Sequence, residues 1–96
     1  SVQVELQSAK KQPNRFYVPK DALVRTPNDV FIWVIRTQNG NDLTAEKVQV
    51  EPGNQINSMV AITAKKSDVF KIGDKVVVQG NERLRPDSKV SIIPSL

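Results

Sequence analysis

Six consecutive positions, Val30-Phe31-Ile32-Trp33-Val34-Ile35, are apolar. Extended backbone sends alternate side chains to opposite faces, so this run demands burial on both. A strand of that kind is central and covered on two sides, or covered on one side by a partner. Six residues fall far short of the ~20 that a membrane-spanning helix needs. Asn39-Gly40 follows, the strongest short-range hairpin signal, because a type I′ turn needs φ > 0 at both central residues. The returning strand is Leu43 to Val50. With a tight two-residue turn the paired residue numbers sum to 79, which sets Phe31 opposite Val48.

The rest of the chain is cut into short pieces. Val2, Val4 and Leu6 alternate with Gln3, Glu5 and Gln7 as a half-buried strand. Ser8 to Arg15 is polar, carries Lys10-Lys11 and Pro13, and reads as a loop or linker. Phe16-Tyr17-Val18 is a short strand ended by Pro19. Lys20-Asp21-Ala22-Leu23 suits one helical turn, and Val24-Arg25-Thr26 resumes extended chain. Pro27-Asn28-Asp29 and Pro52-Gly53-Asn54 both carry turn chemistry. Met59 to Ala64 reads as a strand, Lys65 to Asp68 as a surface connection and Val69 to Ile72 as a single helical turn. Gly73-Asp74 punctuates the chain before the β-branched run Lys75-Val76-Val77-Val78, which Gly80-Asn81 closes. Pro86 stops whatever Glu82 to Arg85 begins, and a last strand, Lys89 to Ile93, ends at Pro94. Turn signals recur roughly every 8–15 residues, and no helical period is sustained. The expectation is one all-β domain over residues 1–96, a small β-barrel or β-roll of six to seven short, mainly antiparallel strands.

Composition narrows the chemistry. Ninety-six residues suit one domain, which buries roughly two-thirds of its unfolded surface and leaves no room for a deep enzyme cleft. There is no cysteine, hence no disulfide, thiol nucleophile or thiolate metal site, and no histidine, hence no usual general base. The acidic residues are scattered among lysines. Asp68 and Asp74 lie six apart around a turn, yet a capping and a turn aspartate explain them better than a catalytic pair. Only four glycines occur, too dispersed for a phosphate-binding loop. No catalytic, cofactor or metal residue is nominated, and the chain is not read as an enzyme. Opening directly on strand-like Ser1-Val2-Gln3-Val4-Glu5-Leu6, it reads as a piece of something longer.

Function then has to come from contact surfaces. In Glu82-Arg83-Leu84-Arg85 two arginines flank an apolar leucine in a loop held between Gly80 and Pro86. Arginine and exposed apolar groups are favoured in interface cores; the opposing possibility tucks Leu84 into the core and leaves both arginines solvated. A rival from another class is a nucleic-acid-binding β-barrel. The net charge of +4 permits it, but Phe31 and Trp33 sit inside the most apolar strand, where core packing claims them.

Five segments, in order, resemble the membrane-proximal domain of periplasmic membrane-fusion (adaptor) proteins of the HlyD-like family. Val2-Gln3-Val4-Glu5-Leu6 resembles the strand on which that family's chain leaves its preceding β-barrel domain. Tyr17-Val18-Pro19-Lys20-Asp21-Ala22-Leu23-Val24 resembles its hydrophobic-Val-Pro-x-x-Ala-Leu segment, and Val30 to Ile35 with Lys47-Val48-Gln49-Val50 its apolar strand and return. Phe70-Lys71-Ile72-Gly73-Asp74-Lys75-Val76-Val77-Val78 resembles its Leu-Lys-x-Gly-Asp-x-Val-Val-Val string. Gly80-Asn81-Glu82-Arg83-Leu84-Arg85-Pro86 resembles the ending typical of members serving resistance-nodulation-division transporters. Asp87 and Val69 depart from the pattern, each standing where the family usually has glycine. The resemblance implies a β-roll in the periplasm of a Gram-negative bacterium, beside the inner membrane. There it would dock to the efflux transporter through Lys20, Asp21, Glu82, Arg83, Leu84 and Arg85. It also implies coupling to an outer-membrane channel through domains not contained in this piece, self-association into a ring in the full-length protein, and no nucleic-acid partner. Alone, the domain should bind weakly, since the ring supplies avidity. An adaptor for an ABC-type exporter or type I secretion system is the alternative within the family.

Overall fold

The computed structural model describes residues 2–12, 15–38, 40, 42–65, 73–86 and 88–92. These form nine strands: β1 (Val2–Ser8), β2 (Lys10–Gln12), β3 (Arg15–Pro19), β4 (Val24–Arg25), β5 (Val30–Gln38), β6 (Asp42–Ile56), β7 (Met59–Ala64), β8 (Lys75–Gln79) and β9 (Val90–Ile92). Two single 3₁₀ turns, η1 (Lys20–Ala22) and η2 (Asn81–Arg83), complete them. The fold is all-β. Its nine strands exceed the six or seven expected because a polar segment read as loop pairs, and because the extended piece at Val24–Arg25 forms a short strand. Lys10–Gln12, expected as loop, is recruited by β3, and Val24–Arg25 lies along β5. The expectations on Asp68, Val69–Ile72, Asp87, Ile93 and Pro94 lie outside the described residues.

The strand order is β2-β3-β7-β6-β5-β8-β1-β9, with β4 beside β5. All pairings are antiparallel except β1 with β9. Among the described residues β2 and β9, the two ends of this ladder, do not pair with each other, so the sheet is rolled rather than closed. The roll has a simple cause. β1 pairs with β8 and β2 with β3, yet only Ala9 separates β1 from β2. Ala9 is buried, and its N–H donates to the Asp74 carbonyl at 2.9 Å. Extents of 33 × 28 × 27 Å fit this curl; a flat eight-stranded sheet would be over 30 Å wide and only about 10 Å thick.

The apolar run behaves as its two-faced pattern requires. From β5, Ile32 and Val34 enter one core with Ala9, Val18, Ala22, Val48, Val50, Ile62 and Val76. Contributions from β3, β5, β6, β7 and β8 make this the interior of the roll. Phe31 and Trp33 face the other way, into a second core with Val4, Ala45, Val77, Leu84 and Val90. Their rings meet edge to face, 5.5 Å between centroids at 88°, and Lys47 Nζ covers the Phe31 ring at 4.3 Å. The segment from Gly80 to Ile92 supplies Leu84 and Val90, so it covers the outer face of the sheet.

Two turn readings are corrected. The β5–β6 pairing sums to 80, setting Phe31 opposite Gln49 and Ile32 opposite Val48. The last pair is Gln38 with Asp42, which excludes the two-residue turn, and Gly40 between them takes φ 83°. One residue of slip exchanges the faces of a strand. The observed register puts Val48 and Val50 on the Ile32 face and leaves exposed Lys47 and Gln49 over Phe31 and Trp33. Pro52-Gly53-Asn54 is no turn. Pro52 pairs with Ile62 and Gln55 with Val60, so two residues oppose Ala61 in a β-bulge inside β6. Proline tolerates such a site because a bulge interrupts the ladder. The chain reverses instead at Asn57-Ser58, where Asn57 takes φ 55°.

The remaining turns match their chemistry. At residues 26–29 the Thr26 hydroxyl donates to Asp29 Oδ1 at 2.6 Å and accepts the Asp29 N–H at 3.0 Å. Arg36 reaches Glu46 Oε1 through Nε at 2.8 Å and Asp74 Oδ2 through Nη1 at 3.1 Å. Burial works against the Arg36 charge, but these two carboxylates more than offset it and raise its pKa. Asp74 therefore ties the turn before β8 to β5. Among the described residues no helix is long and apolar enough to cross a membrane.

Candidate functional site

The nominated residues fall on two short turns, and both turns have local causes. Pro19 ends β3 with φ −56° and ψ 142°, and η1 follows, closed by the Leu23 N–H on the Lys20 carbonyl at 3.1 Å. Ala22 points inward and is fully buried in the roll's interior. Lys20 and Asp21 are left exposed. η1 thereby plugs one end of the roll with its alanine and presents its charged pair outward.

η2 depends on Gly80, which starts it at φ 93°. A Cβ there would lie 2.5 Å from the Gln3 carbonyl oxygen and 3.4 Å from Val4 Cγ1. Only glycine suits both the left-handed backbone and that approach to β1. Asn81 then locks the turn in place: its Nδ2 donates to the Val77 carbonyl at 3.0 Å and to the Asp21 carbonyl at 3.3 Å. The second bond joins residues 60 apart in sequence. It brings Lys20 and Asp21 beside Glu82 and Arg83, which the sequence grouped as contact residues without a reason for their adjacency.

Glu82 and Arg83 are exposed, with side chains 77% and 60% accessible. Their mutual approach, 3.9 Å from Arg83 Nε to Glu82 Oε1, is a solvated pair of little energetic weight. Arg83 Nη2 also donates to the Gln3 carbonyl at 3.4 Å. Leu84 is extended, φ −85° and ψ 148°; it is buried, while its neighbours Arg83 and Arg85 are exposed. Arg85 is exposed and opens a turn around Pro86, closed by the Ser88 N–H on the Arg85 carbonyl at 3.0 Å.

Leu84 is the nominated residue that the structure removes from the surface. It is 8% exposed and packs with Val4, Phe31, Trp33 and Val77. Leaving η2 in extended conformation, Leu84 turns inward and lids the outer core. Leu84 anchors the rim from within. Asn81, absent from the nominated set, is the residue that assembles it, and the Gly80-Asn81 pair after a strand is the signal that marks it.

Phe31 and Trp33, the aromatics of the nucleic-acid alternative, are 7% and 3% exposed and offer no stacking face. Among the described residues no group of three or more acidic side chains is placed to hold a metal ion. What remains is a rim of mixed charge, Lys20, Asp21, Glu82 and Arg83, with Arg85 on the adjoining turn. Compared with known proteins, the sequence matches no protein-family model and no curated protein.

Proposed function

We propose that this domain is a docking module of a periplasmic adaptor, seating against an inner-membrane efflux transporter of the resistance-nodulation-division class. The reading rests on the ordered resemblance of its segments. It is supported by one structural observation: the Asn81–Asp21 bond joins two distant turns into a rim whose charges face outward while Ala22 and Leu84 anchor it from within. Anchoring of this kind holds interface side chains in place before binding, which lowers the ordering cost of association. The sequence contains neither histidine nor cysteine, so the activity assigned is recognition, not catalysis. Coupling to an outer-membrane channel belongs to the assembled adaptor.

The test is the double substitution Arg83→Glu with Arg85→Glu in the full-length protein. Drug efflux falls, while the isolated domain keeps its circular dichroism spectrum and melting temperature. Undiminished resistance to exported compounds removes this loop from the contact surface.

A further inference from the structure

The first and last described strands, β1 and β9, lie side by side and run the same way: Val2 pairs with Val90, Gln3 with Ser91 and Val4 with Ile92. The chain therefore enters this pair at one end and leaves it at the other. Tension along the chain slides the two strands past each other and loads the bonds between them together. An antiparallel pair would present both chain ends on the same side and open one bond at a time. The two strands are not held equally. β1 continues into its antiparallel pairing with β8 over residues 5–8, then into buried Ala9, whose N–H donates to the Asp74 carbonyl. Among the described residues β9 has the short run on β1, the Val2 N–H on the Lys89 carbonyl, and on its other side an isolated bridge from Lys89 to Thr44 with the Ala45 N–H on the Ser88 carbonyl. By contrast β5 and β6 stay paired from Phe31–Gln49 to Gln38–Asp42. Only one apolar residue of β9 is well covered: Val90 is 7% exposed, Ile92 51%. The Lys89–Asp42 approach, 3.9 Å between exposed groups, adds little.

We propose that the β1–β9 pair is a tension clasp: force along the chain draws β9 out with its buried Val90, while the inner core and the η1–η2 rim stay folded. The least-held part of a fold opens locally, ahead of the whole. Release runs back to Leu84 and stops there. Leu84 is packed among Val4, Phe31, Trp33 and Val77, and η2 before it is fixed by Asn81 to the Val77 and Asp21 carbonyls. Residues 85–92 are freed, which lengthens the chain by roughly 27 Å at about 3.4 Å per residue. Complete unfolding frees roughly ten times as much. The domain is thereby a link of two lengths, short with the clasp closed and longer with it open, and closure returns Val90 to the outer core. This function is independent of the docking reading.

The experiment stretches the 96-residue chain in optical tweezers between handles ligated to its two ends. A first step of roughly 27 Å, at lower force than the main rupture, is expected. In a second protein the C-terminal handle is moved to Arg85→Cys, an exposed position in a chain with no other cysteine. Tension then bypasses β9, so the first step disappears and the main rupture stays. A third protein, Val90→Ala, yields its first step at lower force with the main rupture unchanged. Both variants keep the circular dichroism spectrum of the parent. A single rupture without an early step overturns the clasp. An early step that survives the moved handle arises from β1 and overturns it as well. So does a Val90→Ala protein whose first step is unmoved, or whose two events weaken alike.

Discussion

The two cores share β5 but are built on different terms. The inner one is made of small and aliphatic side chains from strands on every side of the roll, together with Ala22 of η1. The outer one stacks Phe31 and Trp33 against Val4 and Val77 and is lidded by Leu84 and Val90 from the C-terminal segment. Removing an inner residue leaves a hole enclosed by paired strands, with no neighbour free to collapse into it. Removing an outer residue loosens a segment that is held mainly by its own anchors. The inner core therefore sets global stability, and the outer core sets the position of the rim.

The largest effect is expected from Ile32→Ala, a fully buried inner side chain. Its loss costs about 2–5 kcal/mol, measured by urea unfolding, with Trp33 fluorescence and backbone circular dichroism changing in one transition. Two separated transitions would break the comparison by showing that the cores melt independently. Leu84→Ala comes next, at roughly 2–3 kcal/mol. It sharpens the contrast if hydrogen exchange quickens at residues 81–85 while amides of Val18 and Ile62 stay protected; uniform loss of protection would deny the outer core its separate role.

Gly80→Ala costs about 1–3 kcal/mol for the left-handed backbone, and more if β1 has to yield to the new methyl group. Gly40→Ala is its control, since φ is 83° there but nothing lies within 4 Å of the added carbon. The control suffers the backbone strain alone, so Gly80→Ala must be the more harmful in thermal melts. Equal losses would show that the approach of Gly80 to Gln3 is unimportant. The smallest effect lies on the surface. Hydrogen bonds from Thr26 first, then Gln49, hold the Asp29 carboxyl below the usual aspartate range, with lesser help from the charges of Lys47 and Lys65 and against a small effect of burial. Its folded pKa being depressed, the stabilisation is present above the unfolded pKa and disappears as pH falls through the folded value. A carboxyl NMR titration places the Asp29 midpoint low, and Thr26→Val moves it upward. No movement would detach the turn from the titration.

Much of the fold is readable from local pattern. Met59–Ala64 is bounded in the structure as the sequence suggests, and β5 is central because its apolar residues occupy both parities. The errors cluster where one residue type serves two ends. Pro-Gly-Asn makes a bulge as readily as a turn, and the ladder around it decides which. Lys10–Gln12 has no pattern of its own and becomes a strand only because β3 offers an edge. Of the rim, the outward arginines were legible from their spacing around Leu84; the direction Leu84 takes was not.

The amino-acid sequence alone determines an all-β chain of short strands, without histidine or cysteine chemistry, and with arginines alternating about a leucine. These are local properties, set by backbone preference and side-chain parity over a few residues. Tertiary structure decided the 80-sum register, the burial of Leu84 and the meeting of η1 with η2 across 60 residues. Such choices depend on which arrangement buries both faces of β5 at once, and no short window of sequence carries that information.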